Sequence, residues 1–160
     1  MVVHNYYPYA ETRVQRQAEA LASHGAQVDV ICLRHAGDSR VDNVSGVLVH
    51  RLPLRHHKKG GLLVQLVDYL VFFALAFFKL TRLHLVHRYH VVQVHNLPDF
   101  LVFAALIPKL TGSRVILDLH DLMPEFYCAK FGREMQSWPV RLIGWQERLA
   151  CRFADHAITV

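Results

Sequence analysis

Cysteine is scarce in this chain, and what there is does not pair. Cys32, Cys128 and Cys151 are three in number, far apart, and include no Cys-x-x-Cys, which excludes a disulfide framework and fits a reducing compartment with incidental thiols. No Gly-x-Gly-x-x-Gly follows the first apolar stretch, so a dinucleotide-binding oxidoreductase is disfavoured. There is no sustained Lys/Arg run and no nucleic-acid motif, and no nucleic-acid partner is expected. The start, MVVHNYYP, lacks a charged n-region and a long apolar h-region, so no secretory leader is expected. Internal repeats, low-complexity tracts and an interdomain linker are also missing. Twelve histidines invite a metal, and His56-His57 or His84 with His87 could chelate weakly. No three or four ligands fall at a recognisable spacing, however, and no metal is expected.

Apolar residues make up 52% of the 160, enough to exclude disorder and to fill the core of one domain. Lys and Arg total 18 against 13 acids, a balance of +5 that suits phosphates, nucleotides or acidic lipid headgroups.

Apolar runs alternate with helical patterns. Residues 1–4, 28–33, 47–52, 91–95, 115–120 and 157–160 read as strands, several of them almost wholly apolar, as buried parallel strands are. Val14, Ala18, Leu21 and Ala22 share one helical face, with Gly25 as the stop. Residues 62–86, 98–110 and 139–153 read as further helices, and residues 35–45 as a polar loop. Strands alternating with helices through right-handed crossovers give an α/β fold, a doubly wound parallel sheet.

Ligands of such sheets bind outside the carboxyl ends of the strands, and polar residues collect there. The run VILDLHDLMPEFY at Val115–Tyr127 places Asp118, His120 and Asp121 at a strand end, with Pro124 preventing an immediate helix. A His between carboxylates is suited to proton chemistry or to gripping a hydroxyl; the plainer reading is a His held by its own loop. Asp118 points to the side of His120, either to orient the imidazole or, as is expected, as a solvated strand-end carboxylate. In His95-Asn96-Leu97-Pro98-Asp99 a strand runs into a helix start. Asn96 and Asp99 there either bind hydroxyls or, in the case of Asn96, cap the helix. The run Leu62–Leu80 is apolar almost all round from Tyr69 to Phe78. Asp68 and Lys79 bracket only ten residues, too few for a span. A core helix beside a solvated basic loop is the favoured reading. The alternative is a lipid-facing helix with Arg55, His56, His57, Lys58 and Lys59 on headgroup phosphates.

The motifs HNLPD and LHDLMPE, supported by MVVHNYYP, ALASHGAQVDVICLR, HVVQVHNLPDFLVFAALIPKLTG and ERLACRFADHAITV, resemble the amino-terminal, acceptor-side domain of family 4 glycosyltransferases. The resemblance covers residues 1–160 and implies a Rossmann-like domain, the amino-terminal half of a GT-B architecture. It places His120 near the transfer centre in contact with the donor sugar, with Asp121 beside it. It implies an acceptor site drawn from Asn5, Tyr7, Arg13, His95, Asn96 and Asp99. Many relatives carry Gly-Gly after the first strand; Ala10-Glu11-Thr12-Arg13 stands here, with Arg13 as the substitute charge. A nucleotide sugar is the implied donor, a sugar or lipid-linked hydroxyl the acceptor. No metal is expected, and no Asp-x-Asp is present. The implied setting is envelope glycan or glycolipid synthesis at the cytoplasmic membrane face, with peripheral membrane contact through residues 55–82. Because the sequence stops within its last strand and nothing matches a donor-binding domain, a truncated half-enzyme is expected. The alternative is a non-catalytic acceptor-binding or membrane-docking subunit needing a donor-binding partner chain.

Overall fold

The computed structural model describes residues 1–55, 61–120, 124, 127–128 and 136–159. The chain divides into two compact units, Met1–Leu83 and His84–Val160.

The first unit holds β1 (Val2–Tyr6), α1 (Thr12–Ser23), β2 (Asp29–Leu33), β3 (Val41–Val44), β4 (Val47–Leu52) and most of α2 (Leu62–His87). Its strands lie in the order β3-β4-β2-β1. β2 runs parallel to β1 and to β4, with Asp29 opposite Leu48 and Leu33 opposite Leu52. Val3, Val30, Cys32, Val47 and Val49 form a buried sheet face, against which α1 lays Val14 and Ala18. Those two are four apart, the spacing that puts side chains on one helical face.

β3 corrects the expectation of a loop over 35–45. Val41–Val44 pairs antiparallel with Val47–His50 through a hairpin, in which Ser45 and Gly46 have φ of 51° and 84°. Two successive left-handed residues make the turn type that matches strand twist. The strand escaped the apolar pattern because Val41, Asp42 and Asn43 are all exposed on this sheet edge.

The second unit begins with the last turn of α2 and continues through β5 (Val91–His95), a 3-10 helix (Asp99–Ala105), α3 (Leu106–Leu110), β6 (Arg114–Leu119), α4 (Trp138–Phe153) and β7 (His156–Thr159). β5, β6 and β7 are parallel, with His95 opposite Asp118 and Leu119 opposite Thr159. The single helix expected over 98–110 is a 3-10 helix followed by one short α-helix. Pro108 lies in that α-helix and has no N–H to bond back to a preceding carbonyl. Asp155 ties the start of β6 in place: its carboxylate accepts from the Val115 N–H at 2.7 Å and from Lys109 Nζ at 2.9 Å.

α2 is not a core helix. Its buried stripe is narrow, Phe72, Ala76, Leu80 and His84, each one turn after the last. Phe72 and Tyr69 sit edge-on to the His4 ring, and His84 Nε2 lies 2.7 Å from Thr111 Oγ1. Much of the remaining apolar surface faces outward, with Leu63 78%, Phe78 68% and Val86 72% exposed, while Phe73, Leu75 and Phe77 are half-buried. Residues Leu63–His87 are long and apolar enough to cross a membrane by length and composition.

Candidate functional site

β5 and β6 bring four polar side chains to their carboxyl ends. The ladder sets His95 opposite Asp118. Registered residues of adjacent parallel strands point the same way, and period two adds Gln93 and His120 to that face. Asp118 is enclosed and not solvated, a correction to the sequence reading. Its Oδ2 lies 3.2 Å from His95 Nδ1 and accepts a hydrogen bond from Gln93 Nε2 at 3.2 Å. Its Oδ1 lies 4.0 Å from His120 Nε2. Burial is the largest influence on His95 and pushes its pKa down, against the pull of Asp118. A neutral imidazole therefore faces the carboxylate, which favours the tautomer protonated at Nδ1.

His120 stacks on His95, with ring centroids 5.6 Å apart and planes at 20°. Unlike His95 it keeps 20% of its side chain exposed. Its backbone N–H donates to Asn96 Oδ1 at 2.8 Å, and Asn96 Nδ2 donates to Asp99 Oδ1 at 3.2 Å. Asn96 thus joins the turn after β5 to the end of β6. It does not cap the helix that follows, whose N-cap is Pro98 with no side-chain cap. Asp99 is fully buried, and desolvation pushes its carboxyl up to about 6, with the nearby Glu147 charge adding to the rise.

Ligand atoms of His95, Asp118 and His120 lie within 4.8 Å of one another, a grouping that sequence spacing did not reveal. Zinc bonds of about 2.0–2.1 Å would draw them closer than they stand. The three side chains set a carboxylate between two imidazoles.

The glycosyl transferase 4-like domain matches residues 10–160. The chain belongs to that family. Among solved structures, the sucrose-phosphate synthase from Thermosynechococcus elongatus matches at a TM-score of 0.60 and 19% identity. The match covers 98% of this chain, which spans 38% of that one. This likeness shows the α/β fold expected of a GT-B amino-terminal domain. A search of curated proteins gave no significant match.

Within this glycosyltransferase-family domain, the second unit brings His95, Asn96, Asp99 and His120 together. Asn5, Tyr7 and Arg13 belong to the first unit. Asn5 Nδ2 donates to Glu11 Oε1 at 2.8 Å, closing the loop into α1. Tyr7 is fully buried in the core of its unit, and burial pushes its phenol up to about 12. As they stand, Tyr7, His95 and Asp99 present no surface to a ligand. Arg13 is half-buried near the start of α1. Asp121 lies outside the described residues, as do His56, His57, Lys58 and Lys59. Gln93 escaped the sequence reading; its signal was the polar residue two before His95 on an otherwise apolar strand.

Proposed function

We propose that this domain is the acceptor-side half of a glycosyltransferase that moves a sugar from a nucleotide-sugar donor to a hydroxyl acceptor. The observation that carries the reading is His120. It is a partly exposed imidazole at the carboxyl end of a parallel strand, backbone-anchored by Asn96, with the buried Asp118 carboxylate 4.0 Å away. A ring that reaches the surface at this strand end is placed to exchange a hydrogen bond with an acceptor hydroxyl or a departing phosphate oxygen. In the proposed roles His120 and Asp121 serve transfer, while Asn5, Arg13 and Asn96 meet the acceptor. Tyr7 is enclosed in the first unit and His95 and Asp99 in the second, so their part is to support the residues around them. No metal is invoked. The donor-binding half would come from a further domain or a partner chain.

A second reading, an acceptor-binding or membrane-docking subunit, is favoured by the outward apolar face of α2. Both readings place the protein in the cytoplasm at the inner membrane face. There Leu63, Leu66 and Leu70 would enter an anionic surface, with Arg55 and Arg82 meeting headgroups.

The test is transfer to a panel of lipid-linked and sugar acceptors, with the chain alone and with a donor-binding domain supplied. Transfer only with the second domain, reduced at least about a hundredfold by His120→Ala, supports the enzyme reading. Acceptor binding with no transfer under either condition supports the docking subunit.

A further inference from the structure

A second polar site lies in the first unit, at the carboxyl ends of β2 and β4. The two strands pair in parallel up to Leu33 and Leu52. The Arg34 N–H then donates to the Leu54 carbonyl at 3.3 Å, so the ladder carries on past both strand ends. This brings Arg34 and Arg55 to one rim. Between them opens a pocket of about 240 Å³ lined by Arg34, His35, Ala36, Gly37, Leu54 and Arg55, with Pro53. Among the described residues that line it, none is acidic.

The charges here are not spent on neighbours. Arg34 Nε donates to the Asp38 carbonyl at 2.9 Å, which fixes the stem and leaves the two terminal nitrogens. The Asp38 carboxylate is engaged elsewhere, 3.4 Å from the Nε of the buried Arg51. Among the described residues neither Arg34 nor Arg55 has a carboxylate within ion-pair distance. The His35 ring stands edge-on to Tyr6 at 5.5 Å, beside the cavity.

We infer that this pocket binds a phosphoryl group. Two guanidinium forks match three or more anionic oxygens, whereas a single carboxylate is satisfied by one fork. The cavity has room for a phosphate with part of its ester, and its place outside parallel strand ends is where ligands of such sheets bind. This goes beyond the proposed transfer chemistry and does not depend on it. The same chemistry is carried by a soluble phosphate ester and by a lipid headgroup.

The two sources separate by experiment. Isothermal titration of the chain with inorganic pyrophosphate should show saturable binding. Arg34→Gln and Arg55→Gln should each weaken it at least tenfold, and Arg16→Gln, which removes the same charge from exposed α1 surface, should leave it within twofold. Flotation with phosphatidylcholine vesicles containing phosphatidic acid, compared with phosphatidylcholine alone, reads the lipid form. Pocket-dependent recruitment there, without pyrophosphate binding, assigns the group to a headgroup. Arg55 is exposed and makes no hydrogen bond to the described residues, so Arg55→Gln keeps the test valid if Arg34→Gln loosens the Asp38 loop. Equal behaviour of Arg55→Gln and Arg16→Gln towards both probes would overturn the inference, leaving only net positive charge.

Discussion

Asp118 and His95 face each other at 3.2 Å on neighbouring strands, and neither side chain reaches solvent. A buried carboxylate is tolerated only where donors surround it. Here the donors are His95 and Gln93. Asp118→Ala would remove the oxygen to which the Gln93 amide donates and the carboxylate that faces His95. It should destabilise the domain by about 1–3 kcal/mol, the penalty for orphaned buried donors, as read by urea unfolding. Asp118→Asn keeps one acceptor oxygen and should lose less. Unchanged stability in Asp118→Ala would mean that the two strand ends are wetter than their packing indicates.

His120 and Asn96 should separate function from anchoring. The bond from residue 120 to Asn96 uses the backbone N–H, so His120→Ala retains it. Its melting temperature should therefore move little, while transfer by the complete enzyme falls at least about a hundredfold. Asn96→Ala removes the acceptor for that N–H and the donor to Asp99 together. It should lower both stability and turnover. Near-normal turnover with a large stability loss in His120→Ala would return His120 to the scaffold.

Asp99 should give the fold a pH dependence. Its folded pKa is raised to about 6 from an ordinary 3.8, chiefly by desolvation. The unfolded chain then binds fewer protons between these values, so the contribution of Asp99 is fully present below about pH 4 and is lost as pH rises through about 6. Asp99→Asn cannot ionise. At pH 7.5 it should be more stable than the parent protein by roughly 1–3 kcal/mol, and the gap should close near pH 4. Unfolding midpoints across that range provide the check; a gap independent of pH would point to packing in place of ionisation.

The two faces of α2 should respond differently. Phe72 is fully buried, and Phe72→Ala should cost about 3–5 kcal/mol of stability. Leu63, Leu66 and Leu70 are exposed, and changing all three to Ser should barely move the unfolding midpoint. Vesicle binding should instead drop several-fold, and salt should release the parent protein by screening its basic groups. Release by detergent alone, never by salt or alkaline carbonate, would mean that the helix spans the bilayer.

The strand–helix alternation was legible because buried parallel strands are continuous apolar runs and α1 repeats its apolar residues at helical spacing. The strand Val41–Val44 was not, because three of its four side chains face solvent and follow no apolar alternation. The length of α2 was legible, but its exposure was not. An all-round apolar helix reads the same whether protein or another surface covers it.

The candidate site divides along a similar line. The sequence by itself determined that polar residues stand at the carboxyl ends of apolar strands, because period two is local: Gln93 with His95, and Asp118 with His120. It also carried the motifs by which the chain belongs to its glycosyltransferase family. Only the tertiary structure decided which of these residues are enclosed. Burial depends on what packs across a strand, and pairing register depends on neighbours distant in sequence. The register that sets His95 opposite Asp118 turned an expected solvated carboxylate into a buried one, leaving His120 as the imidazole that still reaches the surface. The β2–β4 ladder likewise brought Arg34 and Arg55, 21 positions apart in sequence (55 − 34), to one pocket.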